Sequence, residues 1–438
     1  MTSFTSIFFI LLFLPILLIF YYVPIKNIKY KNIVLILFSL AFYILDEPLN
    51  IFLLLASILV NYLFVYLHYL YKKNIFTIIP IALNIGILIF YKYSNQSLPL
   101  GISYYTFMMI SYDVDIKDKP KLMDLLLYIS FFATIISGPI TKYSNFVDQI
   151  ENREISKDNL FIGIRRFAFG IIKKILIADN LSFLVDKCFY NIDELTVVLA
   201  WIGAIAYTLQ LYFDFSGFSD MAIGLARMLG FKLQENFNYP YIATSISDFW
   251  KRWHISLTKW FTNYIYIPLG GNRVSKLRNI FNIIVVWFVT GIWHGNGYTF
   301  LIWALINCVF QLLEKNTNLK NIPKGIGHIY TMFIVIISWC IFKSNSLSDA
   351  FKYIGIMFGR CNNGFINNEV INVLEGYCLP LILGIIFSLP IYEKYKESNL
   401  YRNNISNIMV QVTIYILLIL AIASEMGFNF SASLYQGF

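Results

Sequence analysis

Phe281-Asn-Ile-Ile-Val-Val-Trp-Phe-Val-Thr-Gly-Ile-Trp-His-Gly-Asn-Gly297 is the stretch that decides the fold of this 438-residue chain. As a helix, its apolar run 281–293 would be about 20 Å long, against a hydrocarbon core of about 30 Å. Either flanking polar residues lengthen this helix, or it lies in a thinned part of the membrane. The glycines at 295 and 297 predict a turn that ends the helix at His294. A histidine at membrane depth is costly, so a functional role and a hydrogen bond at a helix end remain equal alternatives.

The whole chain has the composition of a polytopic membrane protein. It is 58% hydrophobic and 13% charged, whereas a soluble domain has about 25% charged residues. We therefore expect an all-α membrane fold of about eleven transmembrane helices plus re-entrant or interfacial helices. Apolar segments recur at roughly 4–23, 33–45, 51–71, 75–91, 100–112, 125–140, 161–178, 197–213, 281–293, 298–313, 329–342, 376–392 and 405–423.

The first apolar segment and the charges of the early loops predict an orientation. Segment 4–23 is too long for the apolar part of a signal peptide and follows no basic residue, so we expect it to remain as a transmembrane helix. Basic residues in the first and third loops, with acidic ones in the second, predict an extracytoplasmic N-terminus in the cell membrane. These residues are Lys26, Lys29, Lys31, Lys72, Lys73, Asp46 and Glu47.

The net charge, the spacing of the cysteines and the lack of a linker argue against several classes of protein. The net charge of +9 fits cytoplasmic loops and does not indicate a nucleic-acid partner. The five cysteines have no metal-ligand spacing, so we expect buried thiols and no metal site. They are Cys188, Cys308, Cys340, Cys361 and Cys378. No linker interrupts the chain, which predicts a single integral domain over 1–438 with a motif-rich core at about 98–313.

His254 is the second histidine that the sequence singles out. Ser245 and Asp248 have the spacing of a capping box, which predicts a helix that starts near Ser247. At about 100° per residue, one face of a continuous helix would carry His254 among aromatic and apolar residues. That helix would lie in the membrane interface with a cationic face toward water or headgroups. A buried structural histidine and a site histidine remain alternative interpretations. The residues on the apolar face are Trp250, Trp253, His254, Leu257, Trp260 and Phe261.

Further polar residues cluster between 212 and 297. Asp214 ends an apolar run and either orients a histidine or forms a structural ion pair, of which the ion pair is favoured. Gly270 and Gly271 predict a turn with positive φ, whose Asn272 and Arg273 can bond backbone or a phosphate. No GxSxG, P-loop or HExxH motif is present, and no cysteine has a plausible base. A histidine base acting directly on a hydroxyl remains open.

An ordered set of motifs resembles the membrane-bound O-acyltransferase family, and within it the bacterial branch of alginate O-acetyltransferase. The resemblance covers nearly the whole chain. The motif with Pro268, Gly270 and Gly271 favours the acetyl-transferring branch over the D-alanyl transferase of teichoic acids, which shares several other motifs. The matching stretches are 98–107, 137–143, 172–181, 213–227, 235–241, 249–257, 266–273 and 291–295.

The resemblance implies a membrane-embedded helical fold with a central funnel. It implies that His294, in the Trp-His-Gly motif, is the catalytic base and that His254 falls on the family's second site position. His254 would position the donor, polarise its carbonyl or relay a proton. From the same motifs we expect eight substrate-binding residues, which are Asp214, Asn238, Trp250, Arg252, Trp253, Asn272, Arg273 and Trp293.

The implied function is transfer of an acyl group, acetyl above all, from a cytosolic thioester to hydroxyls of an extracellular or cell-wall polysaccharide. The donor would be acetyl-CoA or a carrier-protein thioester, used as a co-substrate with no permanently bound cofactor. The expected partners are the lipid membrane, an extracytoplasmic esterase-like or acetyltransferase protein, the polysaccharide acceptor and an acyl carrier protein. The alternatives are D-alanyl transfer to teichoic acids, a proton-coupled transporter or flippase, and a structural scaffold.

Overall fold

The computed structural model describes residues 3–94, 96–317, 319, 322–398 and 404–427. Within these ranges the chain is helical and contains no β-strand. It divides into two compact units, the first formed mainly by residues 1–171 and 218–235 and the second mainly by residues 172–217 and 236–424. The expected all-α fold is confirmed, and both predicted site histidines belong to the second unit.

In its described residues the first unit contains nine α-helices before α11, and these follow a π-helical turn at Phe9–Phe13. Their bounds are α1 Leu14–Tyr22, α2 Ile28–Asp46, α3 Asn50–Tyr71, α4 Ile75–Tyr93, α5 Ile102–Asp115, α6 Leu122–Ser130, α7 Phe132–Ile135, α8 Tyr143–Asn152 and α9 Lys157–Ile172. Its core is a buried phenylalanine cluster in which neighbouring ring centroids lie 5.1 to 6.5 Å apart. That cluster includes Phe4, Phe9, Phe13, Phe42 and Phe132.

The second unit carries the remaining helices, of which α11 also extends into the first unit. Their bounds are α10 Asn180–Tyr190, α11 Val197–Met228, α12 Ile246–Arg252, α13 Ile255–Phe261, α14 Lys276–His294, α15 Tyr298–Asn316, α16 Lys324–Lys343, α17 Leu347–Met357, α18 Asn368–Phe387, α19 Ile391–Glu397 and α20 Asn404–Gly427. Two π-helical segments, Lys173–Asp179 and Thr262–Tyr266, precede α10 and follow α13. Helices α14 and α15 form an antiparallel hairpin that supports the site.

Eight helices of the described chain are long and apolar enough to cross a membrane. They are Ile28–Asp46, Asn50–Tyr71, Ile75–Tyr93, Val197–Met228, Lys276–His294, Lys324–Lys343, Asn368–Phe387 and Ile408–Gly427. The chain is therefore a multi-pass membrane protein. The exact number of spans and the side on which the N-terminus lies stay predictions.

Several helix boundaries differ from the apolar segments of the sequence. The run 281–293 is lengthened by polar residues to the 19-residue helix α14, long enough at about 28 Å to approach the thickness of a hydrocarbon core. The first helical stretch, Phe9–Tyr22, is shorter than the expected 4–23. Segment 125–140 is broken at Phe131, where the backbone N–H of Phe132 donates to Ser39 Oγ at 3.1 Å. A side chain of another helix thus replaces the helical hydrogen bond.

The expectation of five buried cysteines is wrong for two of them. Cys188, Cys308 and Cys340 are buried, whereas Cys361 is half-buried and Cys378 is exposed. Cys378 lies on α18, one of the eight candidate spans, where an apolar thiol can face lipid tails. All five thiols are free of disulfides.

Candidate active site

His294 is the last residue of α14, as the turn at Gly295 predicted. Its imidazole is 5% exposed and packs edge-on against Trp303 of α15 and Phe342 of α16, at centroid distances of 4.9 and 5.3 Å. Gly291 lets the two helices of the hairpin approach, because a Cβ there would lie 3.1 Å from the Cβ of Ala304. His294 therefore occupies a rigid aromatic setting.

His254 lies at a break between two helices, so the prediction of one continuous helix through it is wrong. Helix α12 ends at Arg252, and α13 begins at Ile255. His254 between them has φ 43° and ψ 53°, a left-handed conformation that costs a non-glycine residue free energy. The predicted cap is confirmed, since Ser245 Oγ accepts from the Asp248 N–H at 2.9 Å. Helical periodicity could not show the break, because residues distant in sequence hold it.

Asn236 holds this break in place. Its backbone carbonyl accepts from the Ile255 N–H at 2.9 Å. Its side-chain Oδ1 lies 3.1 Å from His254 Nδ1, and it accepts from the Ser256 N–H at 3.2 Å and the Ser256 hydroxyl at 2.9 Å. Asn236 is 1% exposed, so these bonds form away from water. They supply the free energy that the left-handed residue requires.

Phe215 and Trp293 enclose the imidazole of His254. The ring of Phe215, from α11, meets it edge-on at a centroid distance of 4.6 Å. Burial lowers the pKa of His254 to about 3, so the ring is neutral at physiological pH. A neutral ring can accept a proton, which an imidazolium cannot.

Trp293 joins the two histidines into one cluster. Its ring centroid lies 6.4 Å from that of His254 and 4.7 Å from that of its neighbour His294. Trp293 is 4% exposed and both histidines are buried. The structure thus places the two predicted catalytic residues beside the same indole ring, although they are 40 positions apart in the chain.

Two further predicted residues, Trp250 and Trp253, form part of an aromatic wall beside this cluster. Trp250 packs against Trp303 at 5.7 Å and donates its Nε1–H to Asn307 Oδ1 at 3.0 Å. Trp253 packs against Trp339 at 5.1 Å. Trp303, which contacts His294, stacks on Trp339 at 5.8 Å. Trp250 thus contacts a direct neighbour of His294, whereas Trp253 is connected to that neighbour through Trp339.

Asp214 forms an ion pair with a lysine. It lies within α11, which continues past the predicted apolar end, and Lys174 Nζ is 2.9 Å from its Oδ1. Lys174 also forms an ion pair with Asp179 inside the π-helical segment, and all three side chains are buried. The ion-pair interpretation is the one that this placement favours.

The remaining predicted residues lie apart from the two histidines. Asn238 is exposed, and it pairs with Arg252 through their backbones at 2.9 Å. Arg252 also forms an ion pair with Asp248 at 3.0 Å. Asn272 and Arg273 are exposed in the predicted glycine turn, where Gly270 and Gly271 have φ 106° and 54°. Within the described chain, these four residues make no hydrogen bond or ring contact with either imidazole.

The polar network around the glycine turn uses Asn272 as a structural residue. Its Oδ1 accepts from the Tyr266 hydroxyl at 2.6 Å and from Lys315 Nζ at 3.1 Å. Asn279, on the first turn of α14, donates to the Gly271 carbonyl at 2.8 Å. The turn is therefore fixed to α14 and α15 by side chains that the motif spacing alone did not reveal.

Comparison with known proteins decides the class. The profile of the membrane-bound O-acyltransferase family matches residues 7–319, a stretch that contains both histidines. The chain belongs to the membrane-bound O-acyltransferase family. It is therefore an O-acyltransferase embedded in a membrane, and the resemblance read from the motifs is confirmed.

Curated relatives within this family carry out three related transfers. A probable alginate O-acetylase from Pseudomonas aeruginosa is 35% identical over 391 residues, covering 81% of this chain and 74% of the relative. A peptidoglycan O-acetyltransferase from Helicobacter pylori is 32% identical over 424 residues, covering 80% of each. A teichoic acid D-alanyltransferase from Bacillus subtilis is 33% identical over 248 residues, covering 52% of this chain and 62% of the relative.

Sequence reasoning missed Asn236 and named Asn238 instead. Both lie in the stretch Glu235-Asn-Phe-Asn238, and a motif match gives no reason to prefer one amide. Only the fold shows that Asn236 is buried against His254 while Asn238 is exposed. A signal did exist, because a buried histidine in this acyltransferase needs a partner for its second ring nitrogen, and the nearby asparagines were the available candidates.

Proposed function

We propose that this membrane O-acyltransferase moves acetyl groups from a cytosolic thioester toward hydroxyls of an extracellular or cell-wall polysaccharide. The observation that carries the proposal is the pair of buried histidines, His254 and His294, joined by the ring of Trp293. Two acetyl-transferring relatives also match four fifths of the chain, whereas the D-alanyl transferase matches about half.

In the proposed reaction His294 is the general base. It removes the proton of an acceptor hydroxyl, whose oxygen attacks the carbonyl carbon of the thioester. A C–O bond forms, the C–S bond breaks, and the proton returns to the departing sulfur, so that ester and free thiol are the products. A positioned base of this kind contributes about 10²- to 10⁴-fold to the rate. The ring of His294 is enclosed by Trp293, Trp303 and Phe342, which limits the orientations that the base can adopt.

The donor in this proposal is acetyl-CoA or an acetylated carrier protein, and neither the donor nor a metal needs to be permanently bound. The acceptor is a hydroxyl that reaches the site from the extracytoplasmic side. An esterase-like or acetyltransferase partner protein outside the cell would then place the acetyl group on the polymer. The membrane itself is the remaining partner, since eight helices of the described chain present apolar surfaces of spanning length.

Ester-linked groups released from the cell envelope by mild alkali test the proposal. Cells that lack the protein should lose envelope acetate, the wild-type chain should restore it, and His294→Ala should not, with D-alanine unchanged in the same hydrolysates. Loss of D-alanine with unchanged acetate would replace the proposal by teichoic acid D-alanylation. Unchanged levels of both would refute the assignment of either acyl group.

A further inference from the structure

The three hydrogen bonds of Asn236 determine where the proton of His254 lies. An amide side chain has one oxygen, which accepts, and one nitrogen, which donates. The Ser256 backbone N–H can only donate, and it points at the Asn236 side-chain atom that also faces His254 Nδ1. That atom must be the oxygen, because the amide nitrogen would place its own N–H groups against the N–H of Ser256.

A proton on His254 Nδ1 follows from this assignment. The oxygen facing Nδ1 attracts an N–H and repels a lone pair, so Nδ1 carries hydrogen and donates to Asn236 across 3.1 Å. The Ser256 hydroxyl lies 2.9 Å from the same oxygen and 3.5 Å from Nδ1, so its hydrogen also goes to Asn236. In the neutral ring the lone pair must then reside on Nε2.

The backbone reinforces this arrangement. The Asn236 carbonyl binds the Ile255 N–H, and the Asn238 N–H binds the Arg252 carbonyl, both at 2.9 Å. The segment 236–238 thus runs beside the junction of α12 and α13 and holds the left-handed His254 in a fixed direction. Rotation of the ring by 180° would exchange Nδ1 for a carbon atom and forfeit the bond to Asn236.

We propose that Asn236 is a positioning residue that fixes His254 as the Nδ1–H tautomer, so that His254 acts as a proton acceptor through Nε2. This assignment rests on the proposed acyl transfer and selects one role for His254. A ring nitrogen without hydrogen cannot donate to the thioester carbonyl, so polarisation of the donor by neutral His254 is excluded. Proton relay remains: His294 takes the proton of the acceptor hydroxyl and passes it to Nε2 of His254, which returns it to the departing sulfur.

Nuclear magnetic resonance of selectively ¹³C,¹⁵N-histidine-labelled protein in lipid tests the tautomer without any substrate. The chain has four histidines, and the signal lost in His254→Gln identifies His254. We expect a protonated Nδ1 and an unprotonated Nε2 near pH 7. A proton on Nε2 would overturn the proposal, whatever the enzymatic activity proves to be. Failure of the proposed function is thereby distinguished from failure of this inference.

Two substitutions extend the test to catalysis. Asn236→Leu removes all three acceptor interactions and should lower kcat by about 100-fold with little change in KM, in line with the contribution of a positioned proton-transferring group. Asn236→Asp keeps an oxygen acceptor and should restore the Nδ1–H signal that Asn236→Leu loses. Should Asn236→Leu not fold, the wild-type and Asn236→Asp spectra still decide the question.

Asn316→Asp is the matched control for the added charge. Asn316 is exposed, and its side chain bonds only to the Leu312 carbonyl of its own helix at 2.8 Å among the bonds of the described chain. The Asn316→Asp variant should leave the His254 spectrum and the transfer rate at their wild-type values. An equal loss of kcat and of folded protein in Asn236→Leu, with an unchanged tautomer, would reduce Asn236 to a structural residue and refute the proposal.

Discussion

The indole of Trp293 lies against the imidazole of His254, with ring centroids 6.4 Å apart. The same indole is 4.7 Å from the ring of His294. One tryptophan at the end of α14 therefore joins a histidine of its own helix to a histidine at a break between two other helices. The two histidines thus share one aromatic neighbour.

Replacement of Trp293 should separate the two histidines. Trp293→Ala removes a side chain that is 4% exposed and should lower the free energy of unfolding by about 3–5 kcal/mol. Trp293→Phe keeps an aromatic ring there and should cost less. Thermal unfolding in detergent and envelope acetate measure the two effects. Equal acetylation by Trp293→Ala and the wild type would show that the indole does not organise the site.

Replacement of His294 should abolish transfer without unfolding the protein. We expect His294→Gln to lower acylation by at least about 100-fold, because a general base contributes at least that much. Membrane abundance, measured by immunoblot, should stay near the wild-type amount. His68→Gln is the matched control, since His68 lies on α3 in the first unit and bonds to the Lys73 carbonyl. Full acylation by His294→Gln would contradict its role as base.

The lowered pKa of His254 predicts a pH dependence of stability. In the unfolded chain this ring takes up a proton near its ordinary pKa of 6.5, whereas the folded ring does so only near 3. Acidification between these values therefore favours unfolding, by about 1.4 kcal/mol per pH unit. Between pH 7.5 and 5, the melting temperature should fall less in His254→Gln than in the wild type. Parallel pH curves would show that the ring is not buried neutral.

The buried ion cluster of Lys174 should be more important for stability than exposed ion pairs. Lys174→Met leaves Asp179 and Asp214 buried without their shared cation and should cost about 3–5 kcal/mol. Lys187→Met, which breaks an exposed pair with Glu369, should cost at most about 1 kcal/mol. Thermal unfolding of the two purified variants compares them directly. Similar losses would mean that the buried cluster contributes little.

The membrane fold and the end of α14 at His294 could be predicted from the sequence because their signals are local. A run of apolar residues specifies a helix wherever it lies, and Gly295 ends α14 because of its own position in the chain. The ordered motifs indicated the acyltransferase family, which the comparisons confirmed. The lengthening of α14 by polar residues was also one of the two alternatives that its short apolar run left open.

The tertiary structure alone decided how these residues meet. The helix break at His254 depends on hydrogen bonds from Asn236, 18 positions earlier, and helical periodicity carries no trace of them. Asp214 lies within α11 and forms a buried ion pair with Lys174, which lies 40 positions earlier in the chain. Which histidine nitrogen carries the proton follows from a triple contact at one oxygen. Such contacts join segments distant in the chain, so composition and spacing determine which residues can act, whereas packing determines what each one faces.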